Sequence, residues 1–469
     1  MKPAIFIIVS LVFFTGCAVG PNFHPPQTKV SDQWASSLAG GEKNAPTDLV
    51  DWWKNFDDTD LDLLIIKAVQ SNLNLQIAEA HVREARAQEI VVSGGFWPTL
   101  SGGGSYTRNR WGKNGFPPLP PTTPLNFNLF NASFDAAWEL DIFGGTRRAI
   151  EASKDEIEAT VYNQRDVLVS LLAEVARNYI SARGFQQRLI ITRQNIQVQQ
   201  RILDLTKNRF QNGLSSDLDV QQATALLDDT QAQVPSLESG FQKSVYALSV
   251  LLAQSPGALL DQMSAEKPIP LTPPLVPIGL PSDLLQRRPD IQRAKQEFAA
   301  ATARIGVAIS DLFPKFSLIG IGGFDSLSAS NWFDYVSRNG SIGPSIQWNI
   351  FSAGIIRANI HVQNDRQEQA LDSYQQTILL ALQDTENALT DYAKEQVRRE
   401  SLSQSVEANK KALDLSTELY KTGLADFLRV LDSERSLFIA QDTLVQSDQT
   451  VSIDLVQLYK ALGGGWKEN

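Results

Sequence analysis

Apolar and polar residues alternate along two stretches that lie far apart in the chain. The first has an apolar face formed by Ala132, Phe134, Ala136, Trp138, Leu140 and Ile142. The second repeats this pattern with Ile342, Ile346, Trp348 and Ile350. A period of two residues predicts β-strands with one apolar and one polar face. We therefore predict strands near residues 131–143 and 341–351, with glycine-rich partner strands near 97–108 and 314–324.

A very long helical pattern follows each strand pair. Residues 147–212 contain no Pro and a single Gly, and residues 357–422 contain neither. In the first segment the apolar residues recur at steps of three, four and seven, which is typical of a coiled-coil seam. At about 1.5 Å per residue, each segment predicts a helix roughly 100 Å long. Each ends at a Gly-Leu pair, Gly213-Leu214 or Gly423-Leu424, where Gly fits a left-handed cap, and a return helix follows.

These elements occur twice because the chain is a tandem duplication. Asn74–Arg86 matches Asp290–Thr302, and Leu203–Gln222 matches Leu413–Asp432 with 7 identities in 20. The first repeat is predicted over residues 59–255 and the second over 282–465, joined by a Pro-rich linker at 256–281. The first repeat is expected to open with one helix, from about Asp60 to Ser93.

The N-terminus has the features of a secreted lipoprotein. Its apolar run is too short to cross a bilayer and fits a signal peptide over residues 1–16. Thr15-Gly16-Cys17 resembles a bacterial lipobox, although Phe14 stands where Leu is usual. We expect a covalent lipid on Cys17, followed by an extended segment to residue 58. The alternative is ordinary cleavage that leaves a free Cys. Ala18, rather than Asp, follows the Cys, and this resembles Gram-negative lipoproteins that are sorted to the outer membrane.

Composition excludes several classes of protein. The 469 residues carry a net charge of −10, which argues against binding to nucleic acid. The single Cys excludes an intramolecular disulfide, and the three His residues lie too far apart in sequence to indicate a metal site. Hydrolase and nucleotide-binding motifs are absent from the sequence, so no enzyme is predicted and no cofactor is expected beyond the lipid.

The two-faced strands imply an assembly. An open sheet edge in a bilayer leaves backbone groups without hydrogen bonds, so the sheet must close. Four strands cannot close, since about eight is the practical minimum. Several chains are therefore expected to share one barrel. The predicted fold is mixed α and β, with long helices and a transmembrane β-barrel to which each chain contributes four strands.

Six stretches resemble the TolC-like outer-membrane efflux proteins, in particular the lipoprotein (NodT/OprM-like) branch that serves resistance-nodulation-division pumps. They are Cys17–Pro21, Trp52-Trp53 with Phe56, Leu280–Ile291, Phe313-Pro314, Gly343–Phe351 and Tyr459–Trp466. The resemblance implies a homotrimer with twelve strands and a hollow helical tube in the periplasm. It also implies a periplasmic adaptor and an inner-membrane pump as partners, and a function as a passive outer-membrane duct for drugs or other small molecules.

The same resemblance assigns a role to the two Gly-Leu turns. They would form the periplasmic entrance, where a ring of carboxylates narrows the channel. Asp432 falls on one ring position and Asp219 on the matching acidic position after the first turn. Arg429 falls on the other ring position and is basic, which predicts a mixed constriction closed by an Arg429–Asp219 contact. Candidate adaptor contacts at the turns are Gly213, Leu214, Gly423 and Leu424.

Two alternatives remain open from the sequence. The same fold could export a protein as the outer-membrane duct of a type I secretion system. A lipid-anchored periplasmic coiled-coil scaffold without a pore is a third hypothesis, although the duplicated two-faced strands argue against it.

Overall fold

The computed structural model describes residues 18–26, 30–36, 42–43, 49–112, 120, 124–270, 272–273 and 276–467. The described strands are β1 (Glu42–Lys43), β2 (Thr99–Arg110), β3 (Asn126–Leu140), β4 (Val276–Pro277), β5 (Lys315–Ser326) and β6 (Arg338–Gln347). The described helices are α1 (Thr59–Ser71), α2 (Leu73–Gly94), α3 (Gly145–Gln211), α4 (Asp217–Gln231), α5 (Gln233–Leu251), α6 (Leu260–Met263), α7 (Leu284–Arg287), α8 (Pro289–Ser310), α9 (Ile355–Lys421) and α10 (Phe427–Ala461).

The chain divides into two compact units. The sheet unit comprises residues 1–26, 82–160 and 294–374, and the hairpin unit comprises residues 27–81, 161–293 and 375–469. Both units draw on both halves of the duplicated chain, because each long helix begins in the sheet unit and ends in the hairpin unit.

The sheet unit contains one four-stranded antiparallel sheet in the order β2-β3-β5-β6. Its register aligns the apolar positions across strands, since Leu100 faces Ala136 and Trp138 faces Leu318. On the opposite face Asp135 pairs with Ser101, and Ser317 pairs with Ser345. The apolar face is largely uncovered within the chain: Leu100, Phe134, Ile342 and Ile346 are all more than 60% exposed, at 72%, 65%, 80% and 65%.

The strands end at different residues from those predicted. Strand β3 begins earlier than expected and ends at Leu140, because the Asp141 carboxylate accepts hydrogen bonds from the backbone N–H groups of Thr146 and Arg147 and turns the chain into α3. Ile142 therefore lies outside the strand. Strand β6 ends at Gln347, four residues before the predicted end at residue 351. The indole of Trp348, the next residue, donates to the carbonyl of Leu312 at 3.0 Å.

The single helix predicted from about Asp60 to Ser93 is two helices. Asn72 adopts an extended conformation and ends α1. Its Oδ1 accepts from the N–H of Leu75 at 3.0 Å and its Nδ2 donates to the carbonyl of Leu251 at 2.8 Å. The side chain thus caps the start of α2 and ties it to α5, because an Asn at a helix start can satisfy a backbone donor that has no helical partner.

The long helices α3 and α9 have 67 residues each, which confirms the predicted length. The return path is continuous in the second repeat, where α10 has 35 residues. In the first repeat it breaks at Ala232 between α4 and α5, three residues before Pro235, which cannot donate a helical hydrogen bond. Within the described residues, none of the helices combines the length and apolar composition required to cross a bilayer.

Two of the stretches that resemble the family, Leu280–Ile291 and Tyr459–Trp466, are joined by hydrogen bonds in the hairpin unit. Arg288 donates to the carbonyls of Ala381 and Ala461 and pairs with Asp290 at 2.7 Å. The Trp466 indole donates to the carbonyl of Arg287 at 3.1 Å. These contacts join the start of the second repeat to the end of α10.

Candidate functional site

The two Gly-Leu turns have the same backbone geometry. Gly213 and Gly423 adopt φ values of +71° and +77°. The N–H of Gly213 donates to the carbonyl of Phe210, and the N–H of Leu214 donates to that of Arg209. Gly423 and Leu424 make the equivalent bonds to Tyr420 and Leu419. This pair of bonds is the Schellman motif, in which a left-handed residue satisfies the last carbonyls of a helix.

In the first hairpin, formed by α3 and α4, a closed capping box starts the return helix α4. Ser216 Oγ accepts from the N–H of Asp219 at 3.2 Å, and Asp219 Oδ2 accepts from the N–H of Ser216 at 3.1 Å. Ser215 Oγ also donates to Asp219 Oδ2 at 2.6 Å. Partial burial pushes the pKa of Asp219 upward, but the hydrogen bonds from Ser215 and Ser216 outweigh it and lower the pKa below its ordinary value. The carboxylate is thus occupied by its own turn.

The second hairpin, formed by α9 and α10, starts its return helix differently. Asp426 caps α10 by accepting from the N–H of Arg429 at 3.3 Å. Arg429 stands where the first hairpin has Asp219, so it cannot return a bond to the cap. Its guanidinium lies 4.0 Å from the Asp426 carboxylate, and the two side chains are 76% and 70% exposed. Asp432 is also exposed.

The predicted Arg429–Asp219 contact is not formed within the described chain. Asp219 bonds Ser215 and Ser216, and Arg429 approaches only Asp426. Within one chain the Asp219 carboxylate thus caps its own helix start, and a contact with Arg429 in the assembled entrance stays a prediction. A contact between the two hairpins would have to order two surface side chains, and such pairs contribute little stability.

The two hairpins pack together behind their turns through a buried apolar cluster, which we call the tip core. Its members are Leu203, Val220, Ala223, Leu226, Leu227, Tyr420, Phe427, Val430 and Leu431. Tyr420 and Phe427 lie with ring centroids 5.5 Å apart, and the Arg209 guanidinium lies 4.6 Å from the centre of the Tyr420 ring. The sequence analysis missed Arg209 and Tyr420, although they occupy the last turns of α3 and α9.

The sequence analysis also missed a buried carboxyl group on α10. Glu434 is 1% exposed, and its Oε1 has no protein partner among the described residues. Burial raises the pKa of Glu434 to about 7. Gln199 on α3 is similarly 1% exposed, with neither amide atom bonded to the described protein. Polar groups left without partners in an interior are costly, so Glu434 and Gln199 lower the stability of the hairpin unit.

Apolar side chains project from both turns. Leu214 and Leu424 are 65% and 78% exposed, and Leu218 and Leu428, in the first turn of each return helix, are 64% and 50% exposed. Of the predicted adaptor contacts, the glycines shape the turns and the two Leu residues present side chains to the surroundings.

Cys17 lies outside the described residues, as does the predicted signal peptide. The described residues that follow it, Ala18 to Pro26, belong to the sheet unit. Within the described part of the chain, no cluster of three or more His, Cys, Asp or Glu side chains could hold a metal ion.

Comparison with known proteins identifies the family. The model of the outer membrane efflux protein family matches residues 64–254 and 280–464. The chain is 32% identical over 440 residues to the pyoverdine export outer membrane protein OpmQ of Pseudomonas aeruginosa, covering 93% of this chain and 91% of that protein. It is 30% identical over 465 residues to nodulation protein T of Rhizobium leguminosarum bv. viciae, covering 97% and 92%.

A solved structure gives the same answer. The outer-membrane channel OprN superposes with a TM-score of 0.89 at 34% sequence identity, and the match covers 96% of this chain and 100% of that chain. The resemblance noted in the sequence is thereby confirmed: the chain belongs to the outer membrane efflux protein family.

Proposed function

We propose that this chain is the outer-membrane exit duct of a tripartite efflux system. The observation that carries the proposal is the four-stranded sheet, which has one uncovered apolar face and an opposite face of mostly polar residues, interrupted by Ile319 and Ile321. A bilayer accepts such a sheet only with its apolar face outward and its edges paired. The duct is passive and performs no catalysis, in keeping with family relatives that are efflux channels.

Closure of the sheet requires more than one chain. Within the described residues, β2 and β6 pair on one side only, so each chain offers two open edges. Three copies supply twelve strands, above the practical minimum of about eight for a closed barrel. The polar face that carries Asp135, Glu139 and Ser341 then lines the lumen. We infer a homotrimer whose α3 and α9 helices continue the duct into the periplasm.

The hairpin turns form the periplasmic entrance in this assembly. Three copies of Asp432 place a ring of exposed carboxylates near the axis, with the exposed Arg429 one turn closer to the tip. Rings of like charge attract counterions and set ion selectivity. Asp219 contributes less than Asp432, because its carboxylate already accepts bonds from Ser215 and Ser216. The exposed Leu214 and Leu424 are the side chains offered to a periplasmic adaptor.

The partners follow from the family. OpmQ, a relative, is named as an outer membrane protein for pyoverdine export, which favours a small-molecule cargo for this chain over an exported protein. An adaptor and an inner-membrane pump, of the resistance-nodulation-division type, would supply the cargo and the energy. A lipid on Cys17 would anchor each chain in the outer membrane, since acyl chains add membrane affinity with each buried methylene.

Conductance of the purified protein in a planar bilayer tests the proposal. Wild type is expected to form small cation-selective channels, and Asp432→Ala to lose part of that selectivity or to conduct more. Gln222→Ala is the matched control, because Gln222 occupies the same place after the first turn without a charge. An Asp432→Ala channel that behaves as wild type contradicts the constriction and leaves the duct standing. Inserted wild-type protein that does not conduct even with its adaptor contradicts the duct.

A further inference from the structure

A buried arginine holds the residues that follow Cys17. Arg148, in the first turn of α3, is only 4% exposed. Its Nε donates to the carbonyl of Val19 at 3.1 Å, and its Nη2 donates to the carbonyl of Gly20 at 3.3 Å and to Oδ1 of Asn22 at 2.7 Å. One side of the guanidinium therefore serves a single short stretch of chain, while Nη1 pairs with Glu151 at 2.7 Å.

The backbone around Arg148 is shaped to admit that stretch. A Cβ at Gly306 would lie 2.8 Å from the carbonyl oxygen of Val19 and 2.8 Å from the Cγ of Arg148. A Cβ at Gly144, where φ is +78°, would lie 2.6 Å from the Cα of Ala18. The N–H of Val19 also donates to the carbonyl of Phe143 at 3.1 Å. Close backbone approach is a use to which glycine is suited, so these contacts describe a built groove.

The groove extends to the next aromatic residue. Phe23 packs edge-on against Phe298 of α8, with ring centroids 5.3 Å apart. Burying a guanidinium is expensive unless its hydrogen bonds are met, and a charge-assisted bond to a carbonyl is stronger than a neutral one. Here they are met by residues of an N-terminal segment that adds little to the apolar core. The buried guanidinium of Arg148 therefore serves to fix the position of this segment.

We propose that Arg148 is the positioning residue for the lipid anchor. It docks residues 18–22 so that the acyl chains on Cys17 leave the protein at the junction between β3 and α3. Ala18, the first described residue, lies against Gly144, so the chain is held at this junction from Ala18 onward. The inference rests on the proposed lipidation of Cys17 and on the proposed insertion of the sheet.

The consequence is a shared membrane depth for the lipid and the strands. Strand β3 ends at Leu140 and α3 begins at Gly145, so this junction is the bilayer boundary when the sheet is inserted. A docked segment delivers the acyl chains to the leaflet beside the strand ends. A free segment would anchor the chain without fixing the sheet relative to the lipid. The conformational entropy of the segment would then still have to be lost at insertion.

The test uses the full chain with a spin label on His24→Cys, an exposed position beside the docked residues. The lipidated Cys17 has no free thiol to compete for the label. Three variants are compared in this background: Arg148→Met, Asn22→Ala and the control Glu151→Gln. The Asn22 variant removes a partner of Arg148 without touching α3. The control removes the ion pair of Arg148 but none of its bonds to residues 19–22.

The label is expected to be immobilised in the parent and in Glu151→Gln, and predominantly mobile in Arg148→Met. Asn22→Ala is expected to lie between them. Incorporation of labelled palmitate should be equal in all four proteins, and heat-modifiable trimer in the membrane fraction should fall several-fold in Arg148→Met. An immobilised label in both Arg148→Met and Asn22→Ala overturns the docking.

A mobile label with wild-type amounts of membrane trimer overturns the positioning role while leaving the docking. Absence of palmitate from the parent protein itself removes the anchor and with it the inference. That result is distinct from failure of the proposed duct, which is read from conductance.

Discussion

The two hairpin turns share a backbone and differ in their side chains. Both end a long helix with a left-handed glycine and two Schellman bonds. The third residue of the return helix is Asp219 in the first hairpin, where it closes a capping box, and Arg429 in the second, where it cannot. Duplication has kept the residue that the backbone requires, since few residues other than glycine adopt positive φ readily. The residue that only improves a helix start has diverged.

The difference continues deeper into the return helices. Thr224 of the first hairpin donates its hydroxyl to the carbonyl of Val220 at 2.9 Å and is satisfied. The matching residue of the second hairpin is Glu434, which is 1% exposed and has a carboxyl oxygen without a protein partner in the described chain. The second hairpin therefore carries both the exposed charges Arg429 and Asp432 and a buried group that opposes its packing.

The largest expected effect comes from Glu434→Gln. The folded pKa of Glu434 is raised to about 7 from its ordinary value of 4.5, so the folded protein binds more protons than the unfolded protein between these values. Stability therefore falls as pH rises from the lower value to the upper, by about 3 kcal/mol in total. Glu434→Gln should be more stable than wild type by about this amount at pH 8 and nearly equal below the lower pKa.

Denaturant unfolding of the detergent-solubilised protein at acid and alkaline pH measures this difference. Thr224→Val is the matched control in the first hairpin, and its effect on stability should not change with pH. Equal pH dependence in wild type and Glu434→Gln would show that Glu434 titrates normally and that the second hairpin is not weakened by it.

A smaller effect, equal in both hairpins, is expected at the turn glycines. Gly213→Ala and Gly423→Ala place a Cβ in open space, because no atom lies within 4 Å at either position. The cost is then only backbone strain at positive φ, roughly 1–2 kcal/mol for each variant. Thermal unfolding measures both. Gly94→Ala, which also has open space but no positive φ, is the control and should cause no comparable loss. Clearly unequal losses in the two turns would refute the equivalence of their backbones.

Local patterns predicted the elements because period-two alternation and breaker-free segments are short-range signals. They extended the two strands to residues 143 and 351, past the observed ends at Leu140 and Gln347. Hydropathy contains no information on bonds such as those of the Asp141 carboxylate, which turns the chain into α3. The capping box could have been predicted, since Ser216 and Asp219 have the required spacing. The resemblance to the family led instead to the prediction of a channel role for Asp219.

The burial of Glu434 could not be read from the sequence. Glu434 lies on a helix rich in charged residues, and only the packing of α10 within the hairpin unit shows that it is enclosed. Arg148 gave no signal either, because one Arg at the start of a long helix is ordinary. Its role is visible only in the folded structure, where residues 18–22 lie against it.

The smallest expected effect on stability separates the two capping positions. Asp219→Ala breaks the capping box and should cost about 1 kcal/mol at pH 7. Arg429→Ala should cost nothing measurable, because Arg429 makes only a 4.0 Å contact with an exposed Asp426. The folded pKa of Asp219 is lowered, so its contribution is present above its ordinary pKa and is lost as pH falls through the lowered value.

Wild type and Asp219→Ala should therefore converge in denaturant midpoint at strongly acid pH. Channel conductance is expected to give the opposite ranking at neutral pH, since Arg429→Ala changes an unoccupied charge at the proposed entrance and Asp219→Ala removes one already held by its turn. If Asp219→Ala altered selectivity more than Arg429→Ala without loss of stability, the constriction would lie at the first turn. The first hairpin, rather than the second, would then carry the charge that controls the channel.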